Sequence, residues 1–103
     1  MEGTELISFQ IISAVGAARS LYIEAIQEGK KKNFDRAYQL IEEGEEVFKE
    51  AHRAHGELIQ KEATGEKTQI DLLLMHAEDQ LMSADGFRII SEEFIEVYKD
   101  INK

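Results

Sequence analysis

The 103 residues include no cysteine and no proline. Without cysteine the chain has no disulfide framework, no thiolate metal site and no cysteine nucleophile of its own. Without proline nothing in the chain interrupts long helices. The length suits a single domain, which we take to be residues 1–103. Because so small a core is marginally stable alone, packing against further copies of the chain would help.

Basic residues are also scarce, with 12 lysines and arginines against 21 acids and a formal net charge of -9. Phosphate backbones and anionic lipid surfaces would repel such a chain, which argues against a nucleic-acid or membrane-surface partner. The only basic run, Lys30–Lys32, is too short to reverse that repulsion.

Targeting and membrane-spanning signals are weak. The first five residues, MEGTE, lack the basic region of a signal peptide. Residues 6–26 are rich in apolar side chains, but Gln10, Arg19 and Glu24 interrupt them. This pattern favours an inward-facing helix over a membrane span, so we expect a cytoplasmic protein with no direct membrane insertion.

Three long segments have the apolar period of helices, and we expect helices at about 4–28, 33–63 and 68–101. Small polar residues that cap helices precede them, and glycine follows the first two. The expected caps and stops are Thr4 and Gly29, then Asn33 and Gly65, then Thr68 with Asp71 three residues later as in a capping box.

The pattern predicts an all-α, up-down-up three-helix bundle. The third segment carries two apolar stripes: Ile70, Leu74, Ala77, Leu81 and Ala84, then Phe87, Ile90, Phe94, Val97 and Ile101. The first segment is equally apolar. One small bundle cannot hide this much apolar surface, so we expect self-association, most simply as a parallel homo-oligomer.

A line of polar residues, here called the polar seam, interrupts the apolar pattern of the third segment. Leu72, His76, Asp79 and Ser83 follow spacings of four, three and four, so they lie along one side, with Gln80 beside them. On spacing alone, His76 and Asp79 can be structural residues that are satisfied by partners or that set helix register. The alternative is that they are functional, with His76 a nucleophile at a solvent-exposed edge and Asp79 on a symmetry axis.

A symmetry axis at Asp79 has a testable energetic consequence. If the third helix lines a threefold axis, three Asp79 carboxylates converge. At about 5 Å and an effective dielectric near 20, each pair repels by roughly 3 kcal/mol, or on the order of 10 kcal/mol for the trio. Protons or a bound cation must offset that repulsion, and a hard divalent ion suits carboxylate oxygens better than zinc does.

Three separated motifs carry a family resemblance. Residues 76–83, HAEDQLMS, resemble the H-A-Q-D-H-L-M-T signature of the lactose/cellobiose-type enzyme IIA of the bacterial phosphotransferase system. Residues 16–20, GAARS, resemble its G-x-A-R-S element, and residues 50–52, EAH, its E-A-H. Residues 94–99, FIEVYK, match its closing helix, so the resemblance covers nearly the whole chain.

The resemblance implies a parallel homotrimer of three-helix subunits with the third helix near the threefold axis. It implies that His76 takes a phosphoryl group from the carrier protein HPr and passes it to a cysteine of enzyme IIB during sugar uptake. It further implies that Asp79 shares one divalent ion, Mg²⁺, with its two symmetry mates. A neutral imidazole suits this chemistry, because its reference pKa of about 6.5 leaves it nucleophilic near neutral pH.

The motif departs from the family pattern at three positions. Glu78 replaces a glutamine, Gln80 replaces the second histidine and Ser83 replaces a threonine. Glu78 and Gln80 are therefore expected only to support the site. A carboxylate near phosphohistidine would repel its charge of about -2, so Glu78 must face away or alter the transfer equilibrium.

Other readings concern the remaining polar residues and the function as a whole. His52 and His55 lie three apart and make an incomplete zinc set, so packing or hydrogen bonding is the simpler role for them. Arg19 on an apolar helix needs an acid or a phosphate as its partner, and a structural salt bridge is the first expectation.

The alternative to a phosphoryl relay is a non-catalytic trimeric helical adaptor or regulator derived from the same family.

Overall fold

A computed structural model of the protein describes residues 3–102. Its three helices are α1, Gly3–Lys30; α2, Phe34–Ala63; and α3, Leu72–Ile101. No strand occurs between residues 3 and 102, so the predicted all-helical architecture is confirmed. The three helices lie side by side in a bundle that measures 55 × 23 × 20 Å.

Contacts between helices fix which ends lie together. Tyr38, near the start of α2, donates a hydrogen bond to Glu96, near the end of α3. His55, near the end of α2, contacts Glu78, near the start of α3. Gly29, near the end of α1, lies against Ile95 of α3. Helix α1 packs extensively against both other helices, whereas α2 and α3 touch only over a narrow strip.

The core lies between α1 and its two neighbours. It consists of Ile7, Ile11, Val15, Ala18, Tyr22 and Ala25 from α1, Ala37, Leu40, Ile41, Phe48, Ala51, Ala54 and Leu58 from α2, and Leu74, Ala77, Leu81, Ala84 and Ile95 from α3. Apart from Ile70, the first stripe predicted for α3 is therefore buried. Burial of these side chains is the main term that stabilises the bundle.

Most of the second stripe of α3 faces outward in the single chain, although Phe87 packs against the core. Ile90, Phe94, Val97 and Ile101 are between 45% and 70% exposed. Ile70 precedes the helix and is also exposed. These side chains form part of the apolar surface that, from the sequence, a single bundle was expected to leave unburied.

Helix α1 is long and apolar enough to span a membrane by length and composition alone, and a core helix of a globular protein can be equally so. Ile11, Val15 and Tyr22 of α1 are fully buried against the rest of the bundle. That packing accounts for part of the apolar composition of α1, whereas Leu6, Phe9 and Ile23 stay 40–42% exposed.

Two expected helix caps were wrong. Helix α1 already includes Gly3, so Thr4 lies in the first turn and not at the cap. Helix α3 begins four residues later than expected, because Asp71 and not Thr68 is its N-cap. The Asp71 carboxylate accepts the Leu74 N–H at 2.9 Å, and its negative charge suits the positive end of a helix.

The turn between α1 and α2 also differs from expectation. Gly29 does not end α1, which continues to Lys30, and Lys32 takes the left-handed conformation with φ 68°. Gly29 packs against α3, where an added Cβ would lie at an ordinary van der Waals distance of 3.4 Å from Tyr98. Asn33 does occupy the N-cap position of α2, but its side chain donates to Glu28 and caps no backbone N–H.

Tyr22 is the largest fully buried side chain and sets the distance between α1 and α2. Burial raises the pKa of its hydroxyl to about 12. Its ring lies over Gly44, where an added Cβ would fall 2.5 Å from Cε1 of Tyr22. A residue larger than glycine at position 44 would therefore push the two helices apart.

We expect Gly44→Ala to lower the free energy of unfolding by about 1–3 kcal/mol, because the new methyl group overpacks the Tyr22 contact. Gly56→Ala is the matched control in the same helix, since no atom lies within 4 Å of its added Cβ. The control should stabilise by about 0.5–1 kcal/mol through helix propensity. Urea unfolding followed by circular dichroism measures both changes. Equal stabilisation by the two variants would contradict the tight contact.

Candidate functional site

His76 lies in the second turn of α3 and is exposed to solvent. Met75 and Met82 are 59% and 75% exposed, and the helix rotation directs both about 100–120° around α3 from His76, to the same side of it. Flexible thioether side chains adapt to more than one partner surface. The imidazole is thus accessible to an incoming protein, beside an apolar rim that such a protein could contact.

Asp79 is also exposed, but it points in a different direction. Each residue of an α-helix is rotated by about 100° from the one before, so Asp79 lies about 60° around α3 from His76. The same rotation puts Asp79 on one side with Leu72, Ile90 and Val97, which are 81%, 53% and 48% exposed. Asp79 is therefore a carboxylate within an exposed apolar surface.

Glu78 faces away from His76. The two residues are two positions apart, which separates their directions by about 160° around the helix. Oε1 of Glu78 lies 2.7 Å from Nδ1 of His55 on α2, and both side chains are 31% exposed. This contact holds the carboxylate on the α2 side of α3. Of the two expectations for Glu78, the geometry matches the one in which it faces away.

Gln80 lies on the same side of α3 as His76, four residues further on. Its Oε1 accepts a hydrogen bond of 2.5 Å from Arg19 of α1. The expected carboxylate partner of Arg19 was wrong: between residues 3 and 102 the structure pairs this guanidinium with a neutral amide. Gln80 meets Arg19 because α1 packs along that side of α3.

The polar residues of the seam are thus divided among three sides of one helix. His76 and Gln80 share a side, Asp79 lies on the apolar surface, and Glu78 faces α2. The sequence had marked all four as candidates but could not pair Glu78 with His55, which is 23 residues away. His52, the other histidine of α2, packs edge-on against Phe48 with ring centroids 4.7 Å apart.

A cation at Asp79 would need ligands from more than one chain. Within residues 3–102 of a single chain, no group of three or more histidine, cysteine, aspartate or glutamate side chains could hold a metal ion. The exposed Asp79 carboxylate offers hard oxygen donors, the kind that Mg²⁺ binds. The donor chemistry therefore fits such an ion only if Asp79 side chains from several copies meet.

Comparison with known proteins gives a consistent result. The family model described as "PTS system, Lactose/Cellobiose specific IIA subunit" matches residues 6–99. The oligo-beta-mannoside-specific EIIA component of Bacillus subtilis is 42% identical over 98 residues, which are 95% of this chain and 89% of that protein.

Solved structures of similar proteins agree with the sequence comparison. The cellobiose-specific enzyme IIA of Bacillus anthracis superposes with a TM-score of 0.95 at 42% identity, over 99% of this chain and 94% of that one. The chitobiose IIA of Escherichia coli, solved in complex with HPr, superposes with a TM-score of 0.84 at 27% identity over the full length of both chains.

Proposed function

The chain belongs to the lactose/cellobiose-specific IIA family of the phosphotransferase system, and we propose that it is a phosphoryl relay whose acceptor is His76. In this proposal phospho-HPr is the donor, a cysteine of enzyme IIB is the acceptor, and the relay serves sugar uptake in the cytoplasm. The observation that carries the proposal is a solvent-exposed histidine in the family motif. The solved complex of the chitobiose IIA with HPr supports the choice of donor.

The first transfer exchanges one N–P bond for another. A ring nitrogen of neutral His76 attacks the phosphorus of phospho-HPr, and the electron pair of the broken N–P bond returns to the donor imidazole. His76 gives up the proton on its other nitrogen, and the released donor ring takes one up. The reaction is close to symmetric, so catalysis consists mainly of positioning and charge stabilisation.

The second transfer moves the phosphoryl group from nitrogen to sulfur. The cysteine thiolate of enzyme IIB attacks the phosphorus, a P–S bond forms, and the N–P electron pair returns to His76. Both partners must reach the same imidazole in turn, which suits the exposure of His76. Glu78 is directed toward α2, where it contacts His55 at 2.7 Å, and this direction keeps its carboxylate away from the incoming group.

We further propose that the subunit is an up-down-up bundle and that three subunits form a parallel homotrimer with α3 near the axis. The exposed apolar side of α3 supports this arrangement, because isolated chains rarely leave so much apolar surface in water. Asp79 lies on that side, so its copies would meet. There they would hold one divalent cation, which we take to be Mg²⁺ and which would neutralise their mutual repulsion.

Phosphate labelling tests the relay. After incubation with phosphoenolpyruvate, enzyme I and HPr, we expect about one acid-labile phosphate per chain, because one imidazole is the acceptor in each subunit. His76→Gln should take up none, whereas His52→Gln, the control, should label fully. Label retained by His76→Gln would refute the assignment, and an unlabelled wild type would favour the non-catalytic adaptor.

Asp79→Leu tests the arrangement around the axis. If like charges repel there, leucine should preserve or strengthen the trimer while abolishing cation binding, because the repulsion and the oxygen ligands disappear together. Sedimentation velocity gives the oligomeric state, and elemental analysis of the purified protein gives the bound metal. A trimer that dissociates on this substitution would contradict the axial placement of Asp79.

A further inference from the structure

Arg19 differs from the other arginines of the chain in its partner. Arg36, Arg53 and Arg88 each lie within ion-pair distance of at least one carboxylate. The contact that the structure gives Arg19 is the amide oxygen of Gln80, which is neutral at every pH. Within residues 3–102, Arg19 is therefore the arginine that has no carboxylate within ion-pair distance.

The position of this charge relates it to His76. Gln80 follows His76 by one turn of α3, and side chains four residues apart on a helix are neighbours at about 5–6 Å between Cβ atoms. The guanidinium is bonded to Gln80 at 2.5 Å in a partly buried position. A guanidinium has five N–H donors in a fixed fork, and the contact with Gln80 uses one of its two terminal nitrogens.

We propose that Arg19 is the phosphoryl-binding residue of the His76 site and that Gln80 holds it ready. This inference rests on the proposed function, since it needs a phosphoryl group on His76. When that group arrives, N–H groups of Arg19 donate hydrogen bonds to its oxygens. No bond is made or broken at Arg19, which carries the same charge before and after transfer.

Electrostatics favours this role over a purely structural one. A phosphoryl group brings a charge of about -2, and charge-assisted hydrogen bonds from guanidinium to phosphate are short and strong. Partial burial weakens the screening of such a contact by water. An arginine whose role was only structural would gain more from a carboxylate partner than from an amide. A carboxylate at position 80 would also repel the phosphoryl group.

The experiment measures how phosphate distributes between HPr and this protein at equilibrium, together with the rate of uptake. Arg19→Gln retains an amide that can bond Gln80 but removes the charge. We expect it to shift the equilibrium toward phospho-HPr and to slow uptake by about tenfold to a hundredfold. Arg19→Lys keeps the charge without the fork and should recover part of the loss.

Arg88→Gln is the matched control, because Arg88 is also partly buried but pairs with Glu45, Asp85 and Glu92, three turns along α3 from His76. It should stay within about twofold of wild type in both readouts. An Arg19→Gln variant that behaves like wild type, or like a comparably impaired Arg88→Gln, would overturn the proposal. So would an Arg19→Lys variant with no recovery.

A second variant covers the case in which Arg19→Gln does not fold. Gln80→Glu leaves Arg19 in place and gives it a carboxylate partner, so the fold should be kept while the phosphorylated fraction falls. An unchanged phosphorylated fraction in Gln80→Glu would overturn the role of Arg19. A wild type that takes no phosphate on His76 would instead refute the relay itself, so the two failures are distinguishable.

Discussion

The rotation of about 100° per residue along α3 is the constraint on which the site depends. Five consecutive residues, 76–80, carry four polar side chains, and the rotation sends them to three different surroundings. Glu78 is directed to α2, where His55 holds it at 2.7 Å. Gln80 is directed to α1, where it meets Arg19 at 2.5 Å. His76 and Asp79 remain exposed.

This separation bears on two opposing requirements of the proposed relay and the proposed trimer. An imidazole that is phosphorylated by one protein and dephosphorylated by another must stay accessible, whereas carboxylates that converged on a threefold axis would need shelter and a counter-ion. On α3 the two groups lie on neighbouring sides, about 60° apart. The opposite side of α3 supplies Leu74, Ala77, Leu81 and Ala84 to the core, so packing holds the orientation of the helix. Helix α1 packs along the side of α3 that carries Gln80. The guanidinium of Arg19 on α1 therefore lies near His76.

Much of the fold could be predicted from the sequence, because apolar period and the lack of proline determine three long helices. The helix ends were less predictable, since tertiary contacts choose among several competent residues. Asp71 caps α3 in place of Thr68, and the residue that takes the left-handed conformation after α1 is Lys32, not Gly29. The contacts that the candidate site residues make were also not predictable from the sequence. Neither the contact of His55 with Glu78 nor that of Arg19 with Gln80 is encoded in local spacing, since 23 and 61 residues separate the partners.

The most direct test of the central claim is a crystal structure of the phosphorylated protein grown with Mg²⁺. The account predicts a phosphoryl group on an outward-facing His76, Glu78 still bonded to His55, and three Asp79 carboxylates around one cation. A phosphoryl group on another residue, or Asp79 in open solvent with His76 buried between subunits, would contradict it.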